Sequence, residues 1–205
     1  MEYYIYNIPV FVMDELEDGV DLPGFCEEVE ELLPSELLNN VDVVYVGEFK
    51  DLQGKNAAYN HGAIYMASHE PTNFDMLENF VHETAHSLEE RYGWQIYDDQ
   101  LLNEFKGKRE RLYHLLRGAG YPVNKVMFAQ TEYNRVFDEY LAYEIGYPTL
   151  LSLTMGLFTS PYGATSLQEY FANGFEKYFL DSPMTVKKVS PVLYQKIESI
   201  LNDKA

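Results

Sequence analysis

The first third of the chain changes its hydrophobic pattern several times. Residues 3–13 (YYIYNIPVFVM) are rich in aromatic and β-branched side chains and predict one β-strand. In 23–33 (PGFCEEVEELL) the apolar positions fall at 25, 29, 32 and 33, which is helical spacing. Residues 41–49 (VDVVYVGEF) predict a second strand, and 50–62 (KDLQGKNAAYNHG) read as a polar, glycine-containing loop. Residues 63–68 (AIYMAS) predict a third, short strand.

From residue 72 the pattern turns helical. Thr72 with Asp75 forms a capping pair, apolar residues recur at 77, 81, 85, 88 and 92, and Gly93 supplies a stop. Further helices are predicted over 98–117, 131–145, 166–180 and 191–202, the last with Ser190 as cap and Pro191 at its first position. Strands precede helices, so the fold class is α+β, a small N-terminal sheet followed by a helical part. No repeat, low-complexity tract or linker interrupts 1–205, which reads as a single domain.

Composition narrows the chemistry. Cys26 is the only cysteine, which excludes an intramolecular disulfide and a cysteine-rich metal site; a metal here needs His and carboxylate ligands. With 33 acidic against 15 basic residues the net charge is −18, a field that repels nucleic acid and anionic membranes, so neither is expected as a partner. The one basic cluster, KGKRER (106–111), reads as the solvated face of a helix. No apolar run is long enough to span a bilayer, and the N-terminus lacks the basic region of a secretory signal. The expectation is a cytoplasmic, virion-associated or non-classically exported protein.

Within the 72–93 helix, residues 80–90 read FVHETAHSLEE. His82 and His86 stand one turn apart, so both imidazoles leave the same face. Glu83 lies about 100° round the helix, close enough to reach a water beside the metal without ligating it. This H-E-x-x-H arrangement suits a Zn²⁺ ion that lowers the pKa of water, with Glu83 as the base. A third ligand is required. The metzincin extension is excluded, because Glu89 and Tyr92 stand where Gly and His are needed. Two downstream segments offer a carboxylate: DEYLAYE (138–144), with Glu139 or Glu144, and SLQEYFANGFEKYF (166–179), with Glu169. Glu169 also completes a capping box with Ser166, a purely structural use of the same residue.

FVHETAHSLEE, SPYGATSLQEYFANGFEKYF and the tail DSPMTVKKVSPVLYQKIESIL together resemble the catalytic domain of the anthrax-lethal-factor-like zinc endopeptidases, a group that includes the secreted Pro-Pro endopeptidases. The resemblance implies a zincin-like fold and zinc held by His82, His86 and Glu169, favouring Glu169 over Glu139. It implies Glu83 as general base, and Tyr162, seven residues before Glu169, as hydrogen-bond donor to the oxyanion. It further implies that Ala63, Ile64, Tyr65 and Met66 form the edge along which an extended protein or peptide substrate pairs. Asn173, four after Glu169, stands where relatives carry a carboxylate that orients a ligand histidine. The stretch between His86 and Glu169 is longer than in the family, so 94–160 is expected to be an inserted helical subdomain, a lid or a docking surface. A second reading follows from this insertion, from Asn173 and from the lack of a signal: a non-catalytic component of a larger assembly, such as a phage particle.

Overall fold

The computed structural model describes residues 2–52 and 55–203. The chain divides into two compact units, Met1–Gly93 and Trp94–Ala205.

The first unit holds the sheet and two helices, α1 (Leu22–Leu32) and α2 (Asn73–Ile96), the latter running three residues past the unit's end. The run 3–13 is two strands rather than one: β1 (Tyr3–Ile5) and β2 (Ile8–Val12) form an antiparallel hairpin with Ile5 opposite Ile8. Tyr6 makes the turn at φ +53, the left-handed region that few side chains occupy. Its backbone N–H donates to the Glu30 carboxylate, and its hydroxyl lies 2.8 and 2.9 Å from the carbonyl oxygens of Glu30 and Leu33. Contacts remote in sequence thus stabilise a turn that composition alone does not announce.

The remaining strands are β3 (Val43–Gly47), β4 (Ala57–Asn60) and β5 (Ala63–Ala67), in the order β1-β2-β3-β5-β4. β3 lies parallel to β2 and to β5, and β4 pairs antiparallel with β5. The segment 50–62 is therefore not all loop, although Gln53 and Gly54 lie outside the described residues. Its second half is an edge strand, joined to β5 by a two-residue turn. His61 and Gly62 there take φ +45 and +83, the primed geometry that suits the twist of a hairpin. One face of the sheet buries Val10, Val44, Val46, Ile64 and Met66, in a core shared with Phe25 and Val29 of α1 and Phe80 and Val81 of α2. The other face carries Phe11, Tyr45 and Tyr65 in register, stacked at 5.7 and 5.4 Å.

Helix α2 begins as its sequence predicts: the Asp75 N–H donates to Thr72 Oγ1 at 3.2 Å, and the Thr72 hydroxyl donates to the Asp75 carboxylate. It does not stop at Gly93 but runs on to Ile96. Gly93 keeps a negative φ, and a glycine inside a helix costs only about 1 kcal/mol relative to alanine.

The second unit is built on α3 (Asp99–Gly118), followed by α4 (Lys125–Ala129), α5 (Arg135–Glu139), α6 (Tyr147–Thr154), α7 (Leu167–Leu180), α8 (Pro183–Val189) and α9 (Pro191–Leu201). The single helix expected over 131–145 is instead α5 followed by a π-helical stretch, Tyr140–Gly146, which ends where Gly146 takes φ +83. The basic cluster on α3 is not a solvated face. Lys106, Glu110 and Arg111 are exposed, but Lys108 and Arg109 are buried, Arg109 to 1% exposure. Positions 101, 105, 108, 109, 112 and 116 share one stripe of the helix, so both cations face inward with Leu101, Phe105, Leu112 and Leu116.

Ser190 precedes α9 but makes no side-chain cap. Glu104 of α3 caps the helix instead, accepting from the N–H groups of Val192 (2.9 Å) and Leu193 (3.2 Å) and from the Tyr170 hydroxyl (2.9 Å). α7 and α9 approach closely at Gly174, where a Cβ would lie 2.2 Å from Leu193 Cδ2 and 3.0 Å from its Cγ. Leu193 is fully buried, so it has little room to move aside. Gly174→Ala is expected to destabilise the protein by about 1–3 kcal/mol in denaturant melts. In the first unit, burial, with help from Glu30 and Glu27, pushes the Cys26 thiol up to about 11. Cys26 is therefore expected to resist iodoacetamide at pH 8 in the folded protein and to react once the chain is unfolded.

Candidate functional site

The helical period does the first part of the positioning. His82, Glu83 and His86 sit in the middle of the well-capped α2, and the two imidazole centroids are 5.1 Å apart with planes at 69°. Both rings are half-buried. The Nδ1 of His86 lies 2.8 Å from Glu89 Oε1, one turn further along the same face. A carboxylate there fixes the ring orientation and leaves the other ring nitrogen for a ligand bond. Glu89 belongs to the site and was not anticipated. The signal was present all the same, as a carboxylate at i+3 from a motif histidine.

Glu83 is buried, and its Oε2 accepts the backbone N–H of Tyr59 at 2.7 Å. Asn56, Ala58 and Asn60 of the segment face β5 through the ladder, so the Tyr59 N–H points off the open edge of β4. The carboxylate thereby gains a fixed orientation from the sheet edge. The Tyr59 ring is anchored separately, its hydroxyl donating to the Asn40 carbonyl and accepting from the Gly62 N–H. A backbone donor of this kind carries no sequence signal beyond the strand itself.

Ala63, Ile64, Tyr65 and Met66, expected as a substrate-pairing edge, lie in β5, which is hydrogen-bonded on both sides by β3 and β4. Its backbone is already spent, and Ile64 and Met66 are fully buried. β4, beside it, is the edge strand.

Glu169 sits in the first turn of α7, where its N–H donates to the capping hydroxyl of Ser166 at 3.1 Å. The carboxyl group is buried, with the Tyr162 hydroxyl 3.5 Å from Oε1. Tyr162 opens a 3₁₀ turn, Tyr162–Ala164, just ahead of the helix. Burial foremost, then the Glu169 and Asp138 carboxylates, push its phenol far above the ordinary range, so it stays a hydrogen-bond donor at any physiological pH. Asn173 does not present its amide to an imidazole: its carbonyl oxygen accepts from Ser160, and its NH₂ donates to the Glu169 carbonyl at 2.8 Å. It ties the Tyr162 loop to α7. The rival ligand Glu139 is exposed and paired with Arg135 at 2.8 Å, and Glu144 is exposed on the π-helical stretch.

His82 and His86 lie in the first unit and Glu169 in the second. Two imidazoles and one carboxylate match the donor number and type of a catalytic zinc site with its fourth position open. No protein-family model, curated protein or solved structure matches the chain. Among the described residues no helix is long and apolar enough to cross a membrane.

Proposed function

We propose that the chain is a zinc-dependent endopeptidase. The observation that carries this reading is the pair His82 and His86, one turn apart on α2, beside a buried Glu83 that the Tyr59 N–H orients. The resemblance of the two motif segments to the lethal-factor-like endopeptidases supports it, as does the Tyr162 hydroxyl beside Glu169. His82, His86 and Glu169 would hold Zn²⁺, with Glu89 orienting His86. When bound, the ion supplies Lewis acidity, lowering the pKa of water and polarising a carbonyl.

The protein's own groups do the rest. Glu83, held by the Tyr59 N–H, accepts the proton of the attacking water and delivers it to the leaving amine. The protonated Tyr162 hydroxyl hydrogen-bonds the oxygen that gains charge as the carbonyl becomes tetrahedral. An extended substrate adds to the sheet along β4, pairing with outward backbone groups other than the Tyr59 N–H, which Glu83 holds.

Peptide-library cleavage with parallel zinc analysis tests the reading. The wild type is expected to bind zinc and cut. Glu83→Ala should keep the metal while losing roughly 10²–10⁴-fold in kcat, the usual worth of a general base. Zinc without cleavage in the wild type would sink the peptidase reading and favour the non-catalytic assembly component; a wild type without zinc would sink the site. A separate expectation concerns Glu89. Glu89→Ala should weaken zinc binding about 10–100-fold in chelator competition while helix content, read by circular dichroism, is unchanged.

A further inference from the structure

Neighbouring cations on α3 are buried with no ion-paired carboxylate among the described residues, and both donate to backbone carbonyls, with Arg109 Nε left without an acceptor. Lys108 Nζ donates to the carbonyls of Leu157 (2.6 Å) and Val189 (2.7 Å), with the rings of Phe158 and Tyr170 within 6 Å of it. Arg109 donates through Nη1 to the carbonyls of Ala164 (2.6 Å) and Thr165 (3.1 Å), and through Nη2 to that of Met127 (2.6 Å). Its guanidinium lies 4.0 Å from the Phe137 ring centroid.

Two of the five recipients, Met127 and Val189, belong to α4 and α8, and the other three lie in one stretch of chain. Leu157 and Thr165 mark the two ends of the connection between α6 and α7, the stretch that contains Tyr162. Between those ends the loop has ties of its own, the Ala164 N–H donating to the Pro161 carbonyl (3.1 Å) and the Thr165 N–H to the Tyr162 carbonyl (2.9 Å). The Gly163 N–H donates to Ser160 Oγ (3.2 Å), the Ser160 hydroxyl donates to Asn173, and Thr165 folds back on the Tyr162 carbonyl through Oγ1 (2.7 Å). Leu167, the first residue of α7, finds its acceptor in the Thr131 carbonyl at 2.8 Å. Burying an ammonium and a guanidinium is costly, and such groups persist where their hydrogen bonds fix something specific.

We infer that Lys108 and Arg109 are positioning residues, which clamp the two ends of the 157–165 loop and so set where the Tyr162 hydroxyl stands against Glu169. The role of Tyr162 in turnover rests on the peptidase reading; the clamp does not. α3 therefore acts as the rigid base of the loop, reaching it through main-chain acceptors whose identity does not depend on side-chain type.

Two readouts on the full chain test this. In hydrogen exchange followed by mass spectrometry, Lys108→Met and Arg109→Lys are expected to speed exchange across 157–166 by about tenfold or more while the β3 and β5 amides stay unchanged, the signature of local opening. Methionine fills the volume of Lys108 without its donors, and lysine keeps the charge at 109 but cannot span the carbonyls on both sides. In kinetics, Lys108→Met should lower kcat about tenfold with KM within twofold, because a misplaced catalytic group costs rate rather than binding. Combined with Tyr162→Phe, it should add nothing to the loss of the single Tyr162→Phe variant.

Unchanged exchange in 157–166 overturns the clamp. So does acceleration spread equally over the sheet, which marks plain destabilisation, and so do additive losses in the double variant. A wild type that cuts no peptide removes the peptidase reading but leaves the exchange result to decide the clamp.

Discussion

A charged group taken out of water must be given hydrogen bonds, or the fold loses several kcal/mol for each one. This constraint organises both units of the protein. Glu83 in the first unit finds the Tyr59 N–H; Glu104 in the second finds the opening amides of α9 and the Tyr170 hydroxyl. Lys108 and Arg109 find five carbonyls between them. In each case main-chain groups from a segment distant in sequence are among the partners. Apolar burial supplies most of the stabilisation, but it is non-directional and tolerates sliding. A buried charge with a fixed set of donors or acceptors does not, so these few contacts define the register of the segments they join.

What could be read from the sequence divides along the same line. Signals confined to a few neighbouring residues survive: the α1, α3, α7 and α9 periodicities, the Thr72 and Ser166 caps, and the i, i+4 histidines of α2 all appear in the structure. Features that depend on remote partners do not. AIYMAS has the composition of a strand whether it lies inside a sheet or at its rim, and only the pairing of 57–60 with it decides the matter. That pairing was signalled weakly, by His61-Gly62 between two apolar segments, and the polar run before it hid it. Lys108 and Arg109 lie on the apolar stripe of α3, yet their charge argued for solvent, because no local rule reveals carbonyls waiting at 127, 157, 164, 165 and 189. Ser190 was a plausible cap that yielded to Glu104, a residue 86 positions earlier in the chain.

The same distinction explains why the candidate site needs two kinds of support. His82, Glu83 and His86 are spaced by helical pitch, so any stable α2 puts them in the right relation, and the ring of His86 and the carboxylate of Glu83 gain further tethers from Glu89 and the Tyr59 N–H. Tyr162 has no such guarantee. Seven residues separate it from Glu169, but a seven-residue separation fixes geometry only inside a regular element, and these residues cross a 3₁₀ turn and a helix cap. Besides the loop's own turn bonds, α3 supplies ties from outside it, through the carbonyls of Leu157, Ala164 and Thr165. The segment 94–160 is then more than an addition between two motifs. On the proposed peptidase reading, a scaffold that aims the Tyr162 hydroxyl must hold its loop to a fraction of an ångström. Placing two adjacent charges in the core of that scaffold is a physical means of meeting that demand.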